Sequence, residues 1–181
     1  MTLPGRLWLT GVAHTPSPNA DERPADCEVD LLVIHNISLP PGEFGGPHIA
    51  DLFQNRLDPA RHPYFATVAA LEVSAHLLVR RDGSTTQFVA LDRRAWHAGQ
   101  SVFCGRERCN DFSIGIELEG TDDTPFTPAQ YASLSRLTNE IRHQYPRITP
   151  ARIVGHSDIA PGRKTDPGPC FDWPRYHQMI A

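Results

Sequence analysis

Apolar residues in this chain fall into short blocks whose spacing changes from one block to the next. Leu31 to Ile34, inside "DLLVIH", form an unbroken apolar run rich in branched residues, the pattern of a buried central strand ending at His35. The prolines and glycines of "PPGEFGGP" then mark a loop. In "HIADLFQNRL", Ile49, Leu52, Phe53 and Leu57 recur at helical spacing and predict a helix over residues 48–57. "LEVSAHLLVRRDGSTTQFVA" alternates at Val73, Ala75, Leu77 and Val79, turns at Asp82-Gly83 and returns from Thr85 to Val89 as a hairpin. "DFSIGIELEG" alternates again, with Ile114, Ile116 and Leu118 on one face and Glu117 and Glu119 on the other.

The strongest helical pattern covers residues 128–145. Thr127 is placed to cap it, Pro128 suits its first turn, and Gln130 completes a capping box. Tyr131, Leu134, Leu137, Ile141 and Tyr145 form the apolar stripe, and Pro146 ends it. "ARIVGH" predicts a further short strand ending at His156, and "DWPRYHQMI" a C-terminal helix capped by Asp172. Strands and helices in this order predict an α/β fold, one domain over residues 1–181, with a central mixed β-sheet flanked by helices.

Composition narrows the classes. A chain of 181 residues, 40% hydrophobic and 21% charged, can bury one substantial core. Its 17 prolines, roughly twice the usual share of about 5%, predict long ordered loops. A net charge of −4 without a long basic run argues against nucleic acid as a partner. Arg80-Arg81 and Arg93-Arg94 read as solvated surface. No apolar run approaches the ~20 residues of a membrane span, so no membrane partner is expected. The stretch "MTLPGRLWLTGVAHTPSP" lacks a clear small-x-small cleavage site and reads as mature protein. Cys27, Cys104, Cys109 and Cys170 show no Cys-x-x-Cys pair, which predicts free thiols in a reducing compartment.

The chemistry concentrates at two strand ends. His35 and His156 each follow an apolar run and precede an irregular loop. If their strands are parallel neighbours, both imidazoles emerge on one rim, where ligand sites of α/β proteins gather. Asp166 lies ten residues after His156 in "GHSDIAPGRKTDPGP", a loop that proline and glycine shape. Two imidazoles and a carboxylate leave a fourth tetrahedral position open, as a catalytic zinc requires. Lys164 is the single lysine among 17 basic residues and sits two residues from Asp166. An ammonium is a compact point charge that arginine does not replace at a tight site. Glu117 and Glu119 share a strand face, and either is a candidate general base; the bland alternative is a solvated face.

The blocks "LLVIHNISLPPGEFGG", "VSAHLLVRRDG", "RAWHAG", "GRERCNDFSIGIELEGTD" and "GHSDIAPGRKTDPGP", with "FDW" just after, resemble the AmpD-type 1,6-anhydro-N-acetylmuramyl-L-alanine amidases. These belong to the zinc-dependent N-acetylmuramoyl-L-alanine amidases, and the resemblance spans about residues 29–175. It implies one zinc ion per chain held by His35, His156 and Asp166, with Glu117 and Lys164 as catalytic groups. It also implies a cytoplasmic location, and the chain is expected to act as a monomer on anhydro-muropeptides. Asn36, Trp96, His97 and Arg108 are candidate substrate contacts: Asn36 for the peptide stem, Trp96 for the sugar ring, His97 as a cleft wall, Arg108 for a carboxylate. His76 reads as structural, and Glu72 is left unassigned. Two other readings stand beside this one. An amidase of intact murein would be favoured by a secretion signal, and a non-catalytic peptidoglycan-binding module by loss of a ligand or of Glu117.

Overall fold

Two seven-residue strands carry the molecule. β3 (Leu31–Ile37) and β9 (Ser113–Glu119) pair in parallel over their whole length. The computed structural model describes residues 6–181; of the N-terminal stretch singled out above, residues 1–5 lie outside this range. The remaining strands are shorter: β1 (Ala13–His14), β2 (Ala20–Glu22), β4 (Leu77–Val79), β5 (Thr85–Gln87), β6 (Arg93–Ala95), β7 (Val102–Phe103), β8 (Arg106–Glu107) and β10 (Ile153–Gly155). The main sheet runs β1-β5-β4-β9-β3-β10, with only the β4-β5 hairpin antiparallel. It is the expected mixed sheet. The helices are α1 (His48–Phe53), α2 (Phe65–Val68), α3 (Pro128–Gln144), α4 (His156–Ile159) and α5 (Trp173–Met179).

Side-chain parity sorts the sheet into two faces. Even positions of the two long strands, Leu32, Ile34, Ile114, Ile116 and Leu118, pack under Tyr131, Leu134, Leu137 and Ile141 of α3 and Tyr176 of α5. Odd positions point the other way, where smaller apolar clusters leave room for polar groups. Helix α3 begins as its sequence dictates, with Thr127 Oγ1 accepting from Gln130 N and Gln130 Oε1 accepting from Thr127 N. Asp172 caps α5 by accepting from Arg175 N.

Several expectations shift. Helix α1 stops at Phe53 rather than residue 57, because Asn55 adopts φ +57 and closes a Schellman motif: Asn55 N donates to Leu52 O and Arg56 N to Asp51 O. Leu57 is still buried, so its spacing reported the core and not the helix. The alternating stretch from Val73 is regular strand only over Leu77–Val79, and all three are buried because this strand lies inside the sheet. The first strand runs past His35 to Ile37, and the last ends at Gly155, one residue before His156. The segment "FCGRERCN" contains the β7-β8 hairpin, whose two-residue turn places Cys104 and Gly105 at φ +50 and +76. The arginine pairs are not solvated surface. Arg80 and Arg94 are half-buried, with Arg80 paired to Glu119 and Arg94 to Asp21 and Asp111. All four cysteines are free.

Candidate metal centre and active-site cleft

Pairing of β10 with β3 sets Gly155 beside Ile34, so the next residues, His156 and His35, emerge together at the strand ends. The loop after His156 folds back, and Ser157 N donates to Asp166 O at 2.9 Å. Three candidate ligand atoms form a near-equilateral triangle. His35 Nδ1 lies 3.0 Å from His156 Nδ1 and 3.0 Å from Asp166 Oδ2, and His156 Nδ1 lies 3.1 Å from Asp166 Oδ2. Protons on the ring nitrogens can satisfy single edges of this triangle, whereas a cation at its centre would satisfy all three atoms together. The edges approach the roughly 3.3 Å of a tetrahedral face with bonds of about 2.0–2.1 Å, and two nitrogens with one oxygen suit zinc. The triangle therefore fits the metal that the sequence suggested, with His35 and His156 buried and Asp166 half-buried.

Glu117 stands directly beside His35 in the β3-β9 register, on the same sheet face. Its Oε2 is buried without any hydrogen-bond partner among the described residues. Burial pushes this carboxyl well above the usual carboxylate range, the Asp166 charge adds to the rise, and Lys164 opposes it. Glu119, two residues on, has the opposite surroundings. Its carboxylate accepts from Gly45 N at 2.7 Å, Arg80 Nη1 at 3.1 Å and Arg81 N at 3.2 Å, and ties the glycine loop after β3 to the sheet. Neither acid lies on a solvated face.

A cleft of about 660 Å³ opens over this cluster. Its lining includes all three candidate ligand residues, Glu117 and Lys164, and also Asn36, Trp96 and His97. Lys164 is exposed on the rim, and its side chain forms no hydrogen bond or ion pair among the described residues, while its backbone N donates to Ala160 O at 3.0 Å. Asn36 is not free: its Nδ2 donates to Asp122 Oδ1 at 2.7 Å and to Pro167 O at 3.1 Å, so only its oxygen remains for a ligand. Trp96 Nε1 donates to Asp21 Oδ1 at 3.2 Å while the ring borders the cleft. His97 sits 2.9 Å from His35 Nε2 through its own Nδ1 and is held neutral by burial and by the neighbouring histidines. Arg108 is outside the lining, exposed, with Nε 3.4 Å from Asp111. Glu72 is exposed and also outside the lining, although Leu71 and Val73 are part of it.

Sequence reasoning missed an apolar part of the cleft's lining. Tyr64, Val68 and Leu71, around the single turn of α2, supply an apolar side. Their signal was present in "YFATVAAL", but one helical turn is too short for periodicity to register.

Triad, orphaned carboxyl and rim lysine converge in one cleft on a mixed sheet. Over residues 25–169 the sequence matches the family of N-acetylmuramoyl-L-alanine amidases. This chain belongs to that family. It is 60% identical over 174 residues to the 1,6-anhydro-N-acetylmuramyl-L-alanine amidase AmpD of Enterobacter cloacae, covering 96% of this chain and 92% of that one. A crystal structure of a selenomethionine AmpD derivative superposes with a TM-score of 0.95 at 56% identity, covering 99% and 100% of the two chains. The amidase AmiD of E. coli, solved in complex with the substrate anhydro-N-acetylmuramic acid-L-Ala-D-gamma-Glu-L-Lys, superposes with a TM-score of 0.63 at 31% identity, over 87% of this chain and 60% of AmiD. The amidase has no helix long and apolar enough to cross a membrane among its described residues.

Proposed function

We propose that this amidase hydrolyses the amide between 1,6-anhydro-N-acetylmuramic acid and the L-alanine of soluble muropeptides, in the cytoplasmic recycling of cell-wall fragments, with one zinc ion per chain. The observation that carries the reading is the buried, unpartnered Glu117 carboxyl in register beside His35, with the His35–His156–Asp166 triangle at the floor of the same cleft. The relatives' names and the ligand of the AmiD complex support the substrate class.

His35, His156 and Asp166 would hold the zinc, which when bound polarises the scissile carbonyl and lowers the pKa of a water toward 7. Glu117 performs the proton work. As a desolvated carboxylate it takes a proton from the attacking water, and as the acid it returns that proton to the departing alanine amine. Burial raises its pKa, whereas a dication held beside it would favour the carboxylate form, and these opposed effects suit one group to both steps. Lys164, unpaired on the rim, places its ammonium against the oxygen that gains charge as the carbonyl becomes tetrahedral. Asn36, with both amide hydrogens engaged, offers an acceptor for a stem N–H, and Trp96 offers a face to the sugar ring.

The test is a product assay. Purified protein is offered anhydro and non-anhydro muropeptides, with and without chelator, and products are identified by mass. Release of the intact peptide stem from the anhydro substrate, lost on chelation and regained with zinc, is the expected result. Turnover that survives complete metal removal, or cleavage restricted to intact murein, would overturn it.

A further inference from the structure

The segment that orients the ligands lies outside the ligand set. His35 can offer a bare Nδ1 to the triangle only if its proton sits on Nε2. That nitrogen is 2.9 Å from His97 Nδ1, which must then accept. His97 in turn keeps its proton on Nε2, 3.1 Å from Ser113 Oγ. The next residue does the same for the second imidazole: His156 Nε2 donates to Ala98 O at 3.0 Å and leaves its Nδ1 bare. One dipeptide thus faces the far nitrogen of both imidazoles.

This dipeptide is itself clamped. Asn110 Oδ1 accepts from both His97 N (3.1 Å) and Ala98 N (2.8 Å). The His97 ring lies flush on Gly115 of β9, where an added Cβ would fall 2.5 Å from its Cγ. Only glycine leaves space for the ring in this place. Behind it, His76 Nδ1 accepts from Gly115 N at 3.0 Å and packs edge-on against His97. Along one face of β9, Ser113 receives the relay, Gly115 seats it, and Glu117 reaches the cleft.

We propose that His97 and Ala98 form the positioning element of the metal centre: the His97 ring and the Ala98 carbonyl select the Nε2–H tautomer of His35 and His156, so that both present Nδ1 to zinc. The proposal rests on the zinc reading of the triangle. It gives His97 a task other than that of a cleft wall, and it gives the serine and glycine of "FSIGIE" tasks that no spacing rule assigns. Loss of such an outer partner costs metal-binding histidines roughly 10–100-fold in affinity.

The experiment measures zinc affinity of the metal-free full chain by competition with a chromophoric chelator, for wild type, His97→Phe and His97→Gln. Phenylalanine keeps a ring and removes the acceptor, whereas glutamine restores an acceptor without the imidazole. The expected result is zinc binding about 10–100-fold weaker in His97→Phe, with most of the loss recovered in His97→Gln. Long-range proton–nitrogen NMR of the zinc-loaded wild type supplies a readout independent of any variant. It should find His35 and His156 protonated at Nε2 and bound through Nδ1. Binding of either histidine through Nε2, or unchanged affinity in a His97→Phe protein whose circular dichroism is native, would overturn the proposal. A wild type that binds no zinc at all would instead sink the metal reading on which it stands.

Discussion

Glu117 and Glu119 are two residues apart on the same face of one strand, and their neighbours give them opposite tasks. Glu117 keeps an oxygen bare beside the ligand triangle, whereas Glu119 spends both oxygens on Gly45, Arg80 and Arg81. Glu117→Gln preserves the shape and removes the proposed base. Its turnover should fall by about 10²–10⁴-fold while zinc, measured by elemental analysis, stays at the wild-type level. Glu119→Gln should retain most of its turnover but unfold at lower urea, since Arg80 loses its buried carboxylate partner. If the activity loss followed Glu119 instead, the two roles would have to be exchanged. Lys164 admits a similar separation. Removing a single oxyanion donor costs about 10²–10³-fold, so Lys164→Ala should lose that much kcat at unchanged zinc content, and Lys164→Arg should recover only part of it. Near-normal turnover by Lys164→Ala would leave it a surface residue.

At the level of elements, sequence signals succeeded where the cause is local. The capping box of α3 is formed between Thr127 and Gln130, three residues apart in the chain. Thr127→Ala should therefore cost about 1 kcal/mol in urea unfolding without changing zinc content or kcat; the Thr127 hydroxyl also donates to Arg81 O, so a loss toward 2 kcal/mol would fit. Signals failed where a tertiary partner decides. The short edge strands β1 and β2 have almost no pattern of their own and exist because β5 and β6 lie beside them. Asn55 ends α1 by adopting a left-handed conformation that a periodicity argument, which sees only the apolar Leu57 beyond it, cannot register.

The whole molecule carries a charge problem in the polar layer beneath the cleft. His76 is fully buried, donates through Nε2 to Arg93 O at 3.0 Å, and has the Arg23 guanidinium 3.2 Å from the same nitrogen. Burial, with Arg23 second, pushes its pKa down to about 3. Between that value and about 6.5 the unfolded chain binds a proton that the folded chain refuses, so stability falls as pH falls through this window. In metal-free protein, wild type should lose about 2 kcal/mol more between pH 7 and 5 than His76→Gln, read from urea midpoints at each pH. Equal losses would mean that His76 is not the group being titrated. The proposed zinc would act on the same balance. A ligand that binds only the folded state stabilises it in proportion to its occupancy, so chelation should lower the Tm of wild type and leave that of Asp166→Ala nearly unchanged.

What the sequence determined by itself was the periodicity of the main elements, the parity that puts Glu117 opposite Ile116, and the caps of α3 and α5. All of these arise among residues close together in the chain. It also carried the matched blocks that mark the amidase family. The convergence of His35, His156 and Asp166 was legible only as a condition, that two strands be parallel neighbours, and the β10-β3 register met it. Tertiary structure alone decided the rest. Glu119 could not be told from Glu117 until Arg80 and Gly45 arrived from other segments. Asn36 proved to be held by Asp122 and Pro167, and Arg108 lay outside the cleft. His97 came to rest on Gly115 between Ser113 and His35, a contact across three separate parts of the chain. The reason is physical: spacing along a chain records which face a side chain takes, whereas its partners, its desolvation and the nitrogen that bears its proton depend on atoms that only folding brings near.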